Sequence, residues 1–410
     1  MTLNYIDIFA GSGALSEGFH LSGFHPVAHI EKDPNACRTI QTRNVYHYLK
    51  KNNRQALYYD YISGRIMREE LYLQVPDELH HSVICEEISE KSIQAIFNSV
   101  HKSLKTRQHC EIDLVVGGPP CQPFSLFGRH AIDFGNDKRL RLYVQYGKFL
   151  REFRPKIFVF ENVPGLLSAE NGKYVANMKR YFKSVGYQMD YQILNARDYG
   201  VLQDRKRVII IGWQKELPFS FPDIPKTIHS FTTRDILGDV APLQPGQSVP
   251  NGRYKKRAVP YLEQFRLQNE AGFYTQHIAR PHNANDLQIY RLALEKWNTE
   301  KSRLKYADVP KQWRTQKNVT SFCDRFKVVD GNGISHTIVA HIAQDGHYYI
   351  HPDIAQCRSI SVREAARIQS FPDDYYFEGE RSSMFRQIGN AVPLLFAFAI
   401  ANEVKKMFPW

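Results

Sequence analysis

Tyr5-Ile6-Asp7-Ile8-Phe9-Ala10-Gly11-Ser12-Gly13-Ala14-Leu15 is the stretch of sequence that decides the fold. It starts with an apolar run of strand length, continues with glycines that permit a tight turn, and ends where a helical pattern begins. A strand, a glycine-rich turn and a helix in this order are typical of the first crossover of a doubly wound α/β sheet, where a ligand can approach bare backbone. A turn that is glycine-rich for structural reasons alone is the other interpretation.

More apolar runs of strand length follow in the first half of the chain, with amphipathic stretches between them. They cover residues 27–30, 113–116, 157–160 and 208–211. This alternation predicts an α/β fold with a doubly wound sheet. From about Trp213 onward, repeated prolines break the pattern, and we expect a second, smaller and irregular domain to begin there.

The composition narrows the class of protein. The chain has 410 residues, of which 43% are hydrophobic and 13% aromatic, enough for one large and one smaller domain. No long apolar run or charged leader is present, so we expect a soluble, intracellular protein. The six cysteines form no C-x-x-C pair, which argues against a disulfide framework or a zinc site and leaves a thiol free to act as a nucleophile. A net charge of +12 favours a polyanionic partner such as nucleic acid.

Three features of the second half indicate local structure or charge without pointing to one particular function. Basic residues cluster in Arg253-Tyr254-Lys255-Lys256-Arg257 and over residues 301–327, where either phosphate contacts or a solvated helix face would explain them. Residues 337–342 and 347–350, separated by Gln344-Asp345-Gly346, predict a β-hairpin. Residues 392–408 predict an apolar helix. In the first half, the long segment at 62–110 before the strand at 113–116 indicates no chemistry.

Four groups of side chains carry candidate chemistry. Glu31 ends the second predicted strand, where a carboxylate can accept the hydroxyls of a ribose. Gly117-Gly118-Pro119-Pro120-Cys121-Gln122-Pro123 follows the strand at 113–116, so Cys121 is expected on a stiff loop at the carboxyl edge of the sheet. A buried structural cysteine is the alternative, but glycines and prolines suit a loop better than a core. Glu161 ends a neighbouring strand at the same edge.

The last group is Gln203-Asp204-Arg205-Lys206-Arg207, which leads into the strand at 208–211. Alternate residues of an extended chain point to one face, so Gln203, Arg205 and Arg207 are expected on the same side. Two guanidinium groups beside an acid and a cysteine can polarise a carbonyl and hold a loop.

This ordered set of motifs resembles the DNA cytosine-5 methyltransferase family, and within it the bacterial type II restriction-modification methylases, over residues 7–393. The resemblance implies a Rossmann-like, S-adenosyl-L-methionine-dependent methyltransferase fold with a smaller, irregular target-recognition domain. In that family Asp60-Tyr61 would be the pair at the adenine, although Tyr61 replaces the more usual aliphatic residue. The implied cofactor-binding residues are Phe9, Ala10, Gly11, Ser12, Gly13, Ala14, Leu15, Glu31, Lys32, Asp60, Tyr61, Pro119, Leu142, Asn390, Ala391 and Val392.

The resemblance also implies the catalytic residues Cys121, Glu161, Arg205 and Arg207. The Cys121 thiolate would add to carbon 6 of a cytosine flipped out of the duplex, which activates carbon 5 for methylation. Glu161 would act at ring nitrogen 3, Arg207 at the carbonyl oxygen, and Arg205 would support the loop. Residues 122–139 would close over the base. The sequence does not name the base that removes the carbon-5 proton.

The resemblance divides the chain into four parts: residues 1–215 for catalysis and cofactor binding, 216–350 for target recognition through the major groove, 351–383 as hinge and support, and 384–410 as the return to the catalytic domain. The expected partners are double-stranded DNA and, functionally, a restriction endonuclease, with no stable complex, no membrane and no metal. We expect a monomer in the bacterial cytoplasm or nucleoid.

Three alternatives remain beside this assignment. An RNA (tRNA) cytosine-5 methyltransferase would use the same thiol chemistry but a much shorter recognition segment. A solitary epigenetic DNA methylase would carry the same motifs. A DNA-binding regulator without activity should have lost the cysteine, the acid or an arginine, and all are present.

Overall fold

The computed structural model describes residues 2–105, 111–120, 142–255, 259–315 and 323–408. The strands are β1 (Leu3–Ile8), β2 (Phe24–Glu31), β3 (Val83–Cys85), β4 (Leu114–Gly117), β5 (Ile157–Asn162), β6 (Tyr187–Asn195), β7 (Gln203–Asp204), β8 (Lys206–Gln214), β9 (Ser248–Arg253), β10 (Phe273–Ile278) and β11 (Ser335–His336). The helices are α1 (Ala14–Leu21), α2 (Pro34–Lys51), α3 (Gln55–Ile62), α4 (Arg68–Tyr72), α5 (Asp77–His81), α6 (Ile93–Lys105), α7 (Leu142–Phe153), α8 (Gly165–Ser168), α9 (Lys173–Ser184), α10 (Thr233–Leu237), α11 (Pro260–Gln264), α12 (Ala284–Glu300), α13 (Val362–Ile368), α14 (Arg381–Asn390) and α15 (Leu394–Lys406).

A seven-stranded sheet in the order β3-β2-β1-β4-β5-β8-β6 organises the first lobe. Strands β1 to β5 pair in parallel, and β8 runs antiparallel to both β5 and β6. The strand order reverses between β1 and β4, which places the ligand site of such a sheet at their carboxyl ends. The predicted doubly wound α/β fold is therefore confirmed, and each of the predicted apolar runs of the first half overlaps a strand.

Helices cover both faces of this sheet. On one face α6, α7 and α9 bury aromatic side chains such as Phe97, Phe149 and Phe182 against it. On the other face α1 packs on α15, the apolar helix predicted at the C-terminal end. A Cβ atom on Gly18 would lie 2.5 Å from the backbone of Ala397, so the absence of a side chain at Gly18 permits this close packing. Covered on both sides, the strands are continuous apolar runs.

The structure corrects one sequence-based prediction about secondary structure and shows a strand in a segment to which the sequence assigned no chemistry. Residues 62–110 contain β3, a short strand that pairs with β2. Residues 337–350 form no hairpin: β11 pairs in parallel with β7, and Ala340–Ala343 is a 3-10 helix. The backbone N–H of Ile338 donates to the Gln203 side chain at 2.9 Å, and that of Val339 to the Tyr349 hydroxyl at 3.0 Å. Side chains thus take the bonds that a partner strand would have made.

The second lobe surrounds the antiparallel pair β9-β10 and helices α10 to α14. Its polar interior is organised by fully buried arginines. Arg367 donates to Asp239 and Asp373, and Arg358 pairs with Glu364 at 2.7 Å. Each buried guanidinium is compensated by carboxylates or carbonyls, as burial of a charge requires.

One stretch among the described residues, Arg381–Lys406, is long and apolar enough to cross a membrane by length and composition. It spans α14 and α15, and 72% of its most apolar window is buried inside the protein. This is the pattern of a pair of core helices.

Candidate active site

The glycine-rich turn lies at the carboxyl end of β1, beside the end of β2. Gly11 and Gly13 have φ angles of 56° and 80°, in the left-handed region that favours glycine. The Glu31 carboxylate accepts hydrogen bonds from the backbone N–H groups of Gly11 at 2.8 Å, Lys32 at 2.8 Å and Asp33 at 2.9 Å. Glu31 is therefore held rigidly at the mouth of the turn, whereas the Lys32 side chain is exposed and pairs with Glu87.

Two buried polar groups, one in the turn and one beneath it, have no hydrogen-bond partner within the described residues. They are the Asp7 carboxyl, which is 1% exposed, and the Ser12 hydroxyl, which is 2% exposed. Burial, and secondarily the negative charge of Glu31, raise the pKa of Asp7 well above its ordinary value. A Cβ atom on Gly11 would meet no atom within 4 Å, so there is open space beside the turn. The turn suits a ligand that carries a positive charge and hydroxyl groups.

The C-terminal motif shares hydrophobic clusters with the first residues of α1, which follow this turn. Ala391 shares a hydrophobic cluster with Ala14, and Val392 shares another with Leu15. Asn390 is exposed at the end of α14. The predicted residues at 9–15 and at 31 thus lie at the first crossover, and Ala391 and Val392 belong to hydrophobic clusters that include the start of α1.

Asp60 and Tyr61 do not join this group. They lie on α3, where Asp60 pairs with Arg65 and the Tyr61 hydroxyl donates to Glu378 at 2.7 Å. A pair of acidic residues, Glu86-Glu87, lies directly after β3. The N–H of Glu86 donates to the Glu31 carbonyl at 2.9 Å, and the next residue, Ile88, is buried in the core.

The predicted position of Asp60 and Tyr61 at the adenine gains no support from these contacts, and helices α3 to α5 precede β3 in the chain. The signal available in the sequence was the short apolar run 83–85 followed by two acids and an isoleucine.

The loop that follows β4 begins against β5. The Asn162 side chain donates to the Pro119 carbonyl at 3.2 Å, and a Cβ atom on Gly118 would lie 2.9 Å from the Glu161 carboxylate. Pro119 is buried between these strands. Cys121, the loop at 122–139 and the remaining positions up to 141 lie outside the described residues, and Leu142 is the first residue of α7.

Glu161 and Arg207 form an ion pair at the same edge, with 2.7 Å between Oε1 and Nε. Their side chains are only 12% and 9% exposed. The Arg207 guanidinium also donates to the Lys206 carbonyl at 2.8 Å. An acid and a guanidinium are thus fixed together in a mostly dry environment, which strengthens their electrostatic effect on a bound group.

Gln203 and Arg205 lie on the same side of the chain as Arg207, as the alternation predicted, and they are fully buried. Arg205 donates to the carbonyls of Ile338, Gly389 and Ala391. Its contacts join the β7-β8 connection to the second lobe and to the end of α14.

A groove of about 340 Å³ opens between the two lobes where β7 meets β11. Its basic members are Arg303 and Lys327, which both pair with Asp324, at 3.4 and 2.8 Å. They belong to the basic segment at 301–327, of which residues 316–322 lie outside the described part, as do 256–258 of the other basic cluster. Other residues that line the groove are Asp204, His336, Thr337, Val339, His341, Tyr348 and Tyr349.

Comparison with known proteins identifies the family. The family model described as C-5 cytosine-specific DNA methylase matches residues 79–406. Type II methyltransferase M.Bpa9945I of Bacillus paralicheniformis is 41% identical, with 98% of each chain covered. Type II methyltransferase M.XorII of Xanthomonas oryzae is 31% identical over 98% of this chain and 84% of its own.

Solved structures share the fold. One described as a DNA modification methyltransferase encoded within a prophage of E. coli superimposes with a TM-score of 0.65 at 23% identity, covering 99% of both chains. The methyltransferase EhMeth of Entamoeba histolytica gives a TM-score of 0.55 at 15% identity, covering 100% of this chain and 98% of that one. With its matching family model and its relatives over the full length, this chain belongs to the C-5 cytosine-specific DNA methylase family and is an enzyme that methylates carbon 5 of cytosine in DNA.

Proposed function

We propose that the protein transfers the methyl group of S-adenosyl-L-methionine to a cytosine flipped out of a specific double-stranded DNA sequence, through a covalent adduct with Cys121. We further propose that it works as a monomer in the bacterial cytoplasm and protects host DNA from a cognate restriction endonuclease. The observation that carries the mechanism is the Glu161–Arg207 pair beside the loop that leads to Cys121. The type II methyltransferases among the relatives support the protective role.

The donor site is the first crossover of the sheet. Glu31, held by three backbone N–H groups, would accept the ribose hydroxyls, and residues 9–15 would contact the methionine part. Glu87 and Ile88, after β3, would lie at the adenine in place of Asp60 and Tyr61. The Asp7 carboxyl beneath the turn is available to a cationic group. Pro119, Leu142 and residues 390–392 complete the proposed pocket.

The cytosine site is the edge formed by β4, β5 and β8. The Cys121 thiolate would form a bond to carbon 6, and the ring electrons would move toward carbon 5. Glu161 would donate a proton or a hydrogen bond to nitrogen 3, and Arg207 would bind the carbonyl oxygen, so that negative charge does not accumulate on the ring. Bound S-adenosyl-L-methionine supplies the electrophilic methyl group that carbon 5 accepts. Loss of the carbon-5 proton and cleavage of the bond between sulfur and carbon 6 would then regenerate the thiolate.

Target DNA would follow the groove between the lobes. Arg303 and Lys327 provide positive charge there, and the groove borders Asp204, next to the chain that carries Arg207. Phosphate contacts at this point would place a flipped base near Glu161, while the target-recognition part of the second lobe, proposed at 216–350, reads the neighbouring bases. Residues 351–383 would support that lobe, and residues 384–410 would complete the catalytic domain of residues 1–215.

The mechanism is tested by trapping the covalent adduct. Purified protein is incubated with S-adenosyl-L-methionine and a duplex that carries 5-fluorocytosine at the target site, which bisulfite sequencing of a plasmid from expressing cells first identifies. We expect an adduct that survives denaturation for the wild type and for Cys357→Ser, because Cys357 is a free cysteine of the second lobe whose thiol donates to the Leu287 carbonyl at 3.5 Å. No adduct is expected with Cys121→Ser. An adduct that persists in Cys121→Ser would refute the assigned nucleophile.

A further inference from the structure

The turn proposed to bind the methyl donor accepts a hydrogen bond, on the side that faces the protein interior, from a side chain of the second lobe. The Tyr375 hydroxyl donates to the Ser12 carbonyl at 2.5 Å, in a fully buried contact. Ser12 lies between Gly11 and Gly13, both with left-handed backbone conformations. A Cβ atom on Gly13 would lie 3.3 Å from the same hydroxyl, so Tyr375 packs directly under the turn.

This hydrogen bond satisfies a backbone group that faces the protein interior. The other bonds of the turn run elsewhere: Ala10 donates to the Ile30 carbonyl, Gly13 to the Ala10 carbonyl, and Gly11 to Glu31. Glycine-rich backbone is intrinsically mobile, because glycine has a wide range of accessible conformations. A fixed donor beneath Ser12 therefore restricts the turn to one geometry.

Tyr375 is itself held firmly. Its ring packs against Phe371 and Phe377, with centroids 4.7 and 5.4 Å apart. The Arg43 guanidinium lies 4.8 Å from the ring centroid and pairs with Asp374 at 2.9 Å. The hydroxyl consequently has little freedom to follow the turn if the turn moves.

The segment that carries Tyr375 is anchored in the second lobe on its other side. The Asp373 carboxylate accepts from Arg367 at 2.6 Å and from the Tyr254 hydroxyl at 2.8 Å. The Gln276 side chain on β10 exchanges two hydrogen bonds with the backbone of Phe377, at 2.7 and 3.0 Å. The turn is thus braced by the lobe expected to read DNA.

From these contacts we propose that Tyr375 is a positioning residue for the methyl donor: its hydroxyl holds the Ser12 carbonyl, and through it the Gly11–Gly13 turn, in the conformation that binds S-adenosyl-L-methionine. This inference rests on the proposed donor site. Removal of the hydroxyl leaves the buried carbonyl without a donor, and the turn must rearrange to satisfy it. Donor affinity should fall while the chemistry at Glu161 and Cys121 remains intact.

The test compares Tyr375→Phe with Tyr261→Phe in the full-length protein. Tyr261 is an equally buried tyrosine whose hydroxyl donates to the Gly200 carbonyl at 2.8 Å, so it controls for the loss of such a bond elsewhere. Calorimetric titration with S-adenosylhomocysteine should show a Kd about 5- to 30-fold higher for Tyr375→Phe, the range expected for one unsatisfied buried carbonyl. The KM for the donor should rise in parallel, with kcat and the KM for DNA within about twofold of wild type. Tyr261→Phe should leave all four values unchanged.

An unchanged Kd in Tyr375→Phe, or equal changes in both variants, would overturn the proposal. If Tyr375→Phe folds too poorly to assay, 4-aminophenylalanine at position 375 restores an N–H donor and should return the Kd to the wild-type range; failure to do so would also overturn it. Glu31→Ala separates this outcome from failure of the donor site itself. Undiminished binding to Glu31→Ala would show that the donor binds elsewhere, whatever the result at Tyr375.

Discussion

Two adjacent glycines have different functions at the end of β4. A Cβ atom on Gly117 would collide with the carbonyl oxygen of Ile8 on the neighbouring strand, whereas one on Gly118 would lie 2.9 Å from the end of the Glu161 side chain and 3.7 Å from the Glu161 carbonyl. Backbone in a paired strand cannot move aside, but a carboxylate can rotate. The first glycine is needed for the sheet and the second for the position of the acid.

We therefore expect the two alanine substitutions to separate stability from catalysis. Gly117→Ala should lower the free energy of unfolding by about 1–3 kcal/mol because of overpacking. Gly118→Ala should leave stability within about 0.5 kcal/mol and lower kcat about 100-fold, through displacement of Glu161. Urea unfolding and single-turnover methylation measure the two effects. A stable, fully active Gly118→Ala enzyme would contradict the proposed position of the acid.

Asp7 makes stability depend on pH. Its folded pKa lies well above the ordinary value of 3.8 because of burial. Below about pH 4 both states hold the proton; as the pH rises, the unfolded chain releases it first, so the ligand-free enzyme loses stability until the folded pKa is reached. Asp7→Asn does not titrate. We expect its Tm to match that of the wild type at pH 4 and to exceed it increasingly toward pH 8. A constant difference across this range would show that Asp7 is not perturbed.

At the level of elements, Arg205 connects the two lobes through its hydrogen bonds. It reaches from the β7-β8 connection to carbonyls before the 3-10 helix and at the end of α14. Gly389, at that end, packs so closely on Val339 and Ala340 that a Cβ atom would clash with their backbone. The Gln-x-Arg-x-Arg motif therefore combines one residue of the proposed active site, Arg207, with two that connect elements.

Replacement of Arg205 should affect stability more than any surface arginine does. Arg205→Met leaves three buried carbonyls without their donor, and we expect the free energy of unfolding to fall by about 3 kcal/mol or more. Arg151→Met, at an exposed position on α7, should change it by less than about 0.5 kcal/mol. Chemical denaturation followed by tryptophan fluorescence compares the two. Equal values would mean that Arg205 does not join the lobes.

At the scale of the whole molecule, part of the positive charge that gives the chain its net charge of +12 lies in the groove between the lobes. Arg303 and Lys327 line the groove between the lobes, close to the strand that carries the proposed catalytic arginine. Lys183 is instead an exposed cation at the end of α9, next to the start of β6 and hence at the opposite edge of the sheet. Charge in the groove should contribute to DNA affinity, and charge at the far edge should not.

We expect the double variant Arg303→Ala, Lys327→Ala to bind duplex DNA more weakly and with a smaller salt dependence. Loss of two phosphate contacts should reduce the slope of log K against log salt concentration by about 2. Fluorescence anisotropy between low and moderate salt measures this slope, with Lys183→Ala as the control. An unchanged slope in the double variant would place the DNA elsewhere on the protein.

Local signals in the sequence were sufficient for most strands of the first lobe and for the acids at their ends. Apolar runs of strand length, glycines at the turn, and acids at strand ends depend on interactions between near neighbours in the chain, and these predict the doubly wound sheet and gather Glu31 and Glu161 at one edge. Tertiary contacts decided the rest. The pairing of β3 with β2 brings Glu86 next to Glu31, although helices α2 to α5 separate the two residues along the chain.

The prediction of a hairpin over residues 337–350 is wrong for a related reason. Backbone groups of Ile338 bond to the side chains of Gln203 and Arg205, which are distant in sequence and therefore produce no periodic pattern in the segment that they contact. The hydrogen bond from Tyr375 to the Ser12 carbonyl joins residues that are 363 positions apart. Neither stretch of sequence contains a local pattern that predicts it. The sequence by itself therefore determined the sheet and the chemical groups at its edge, while only the folded chain decided which distant side chains hold those groups in place.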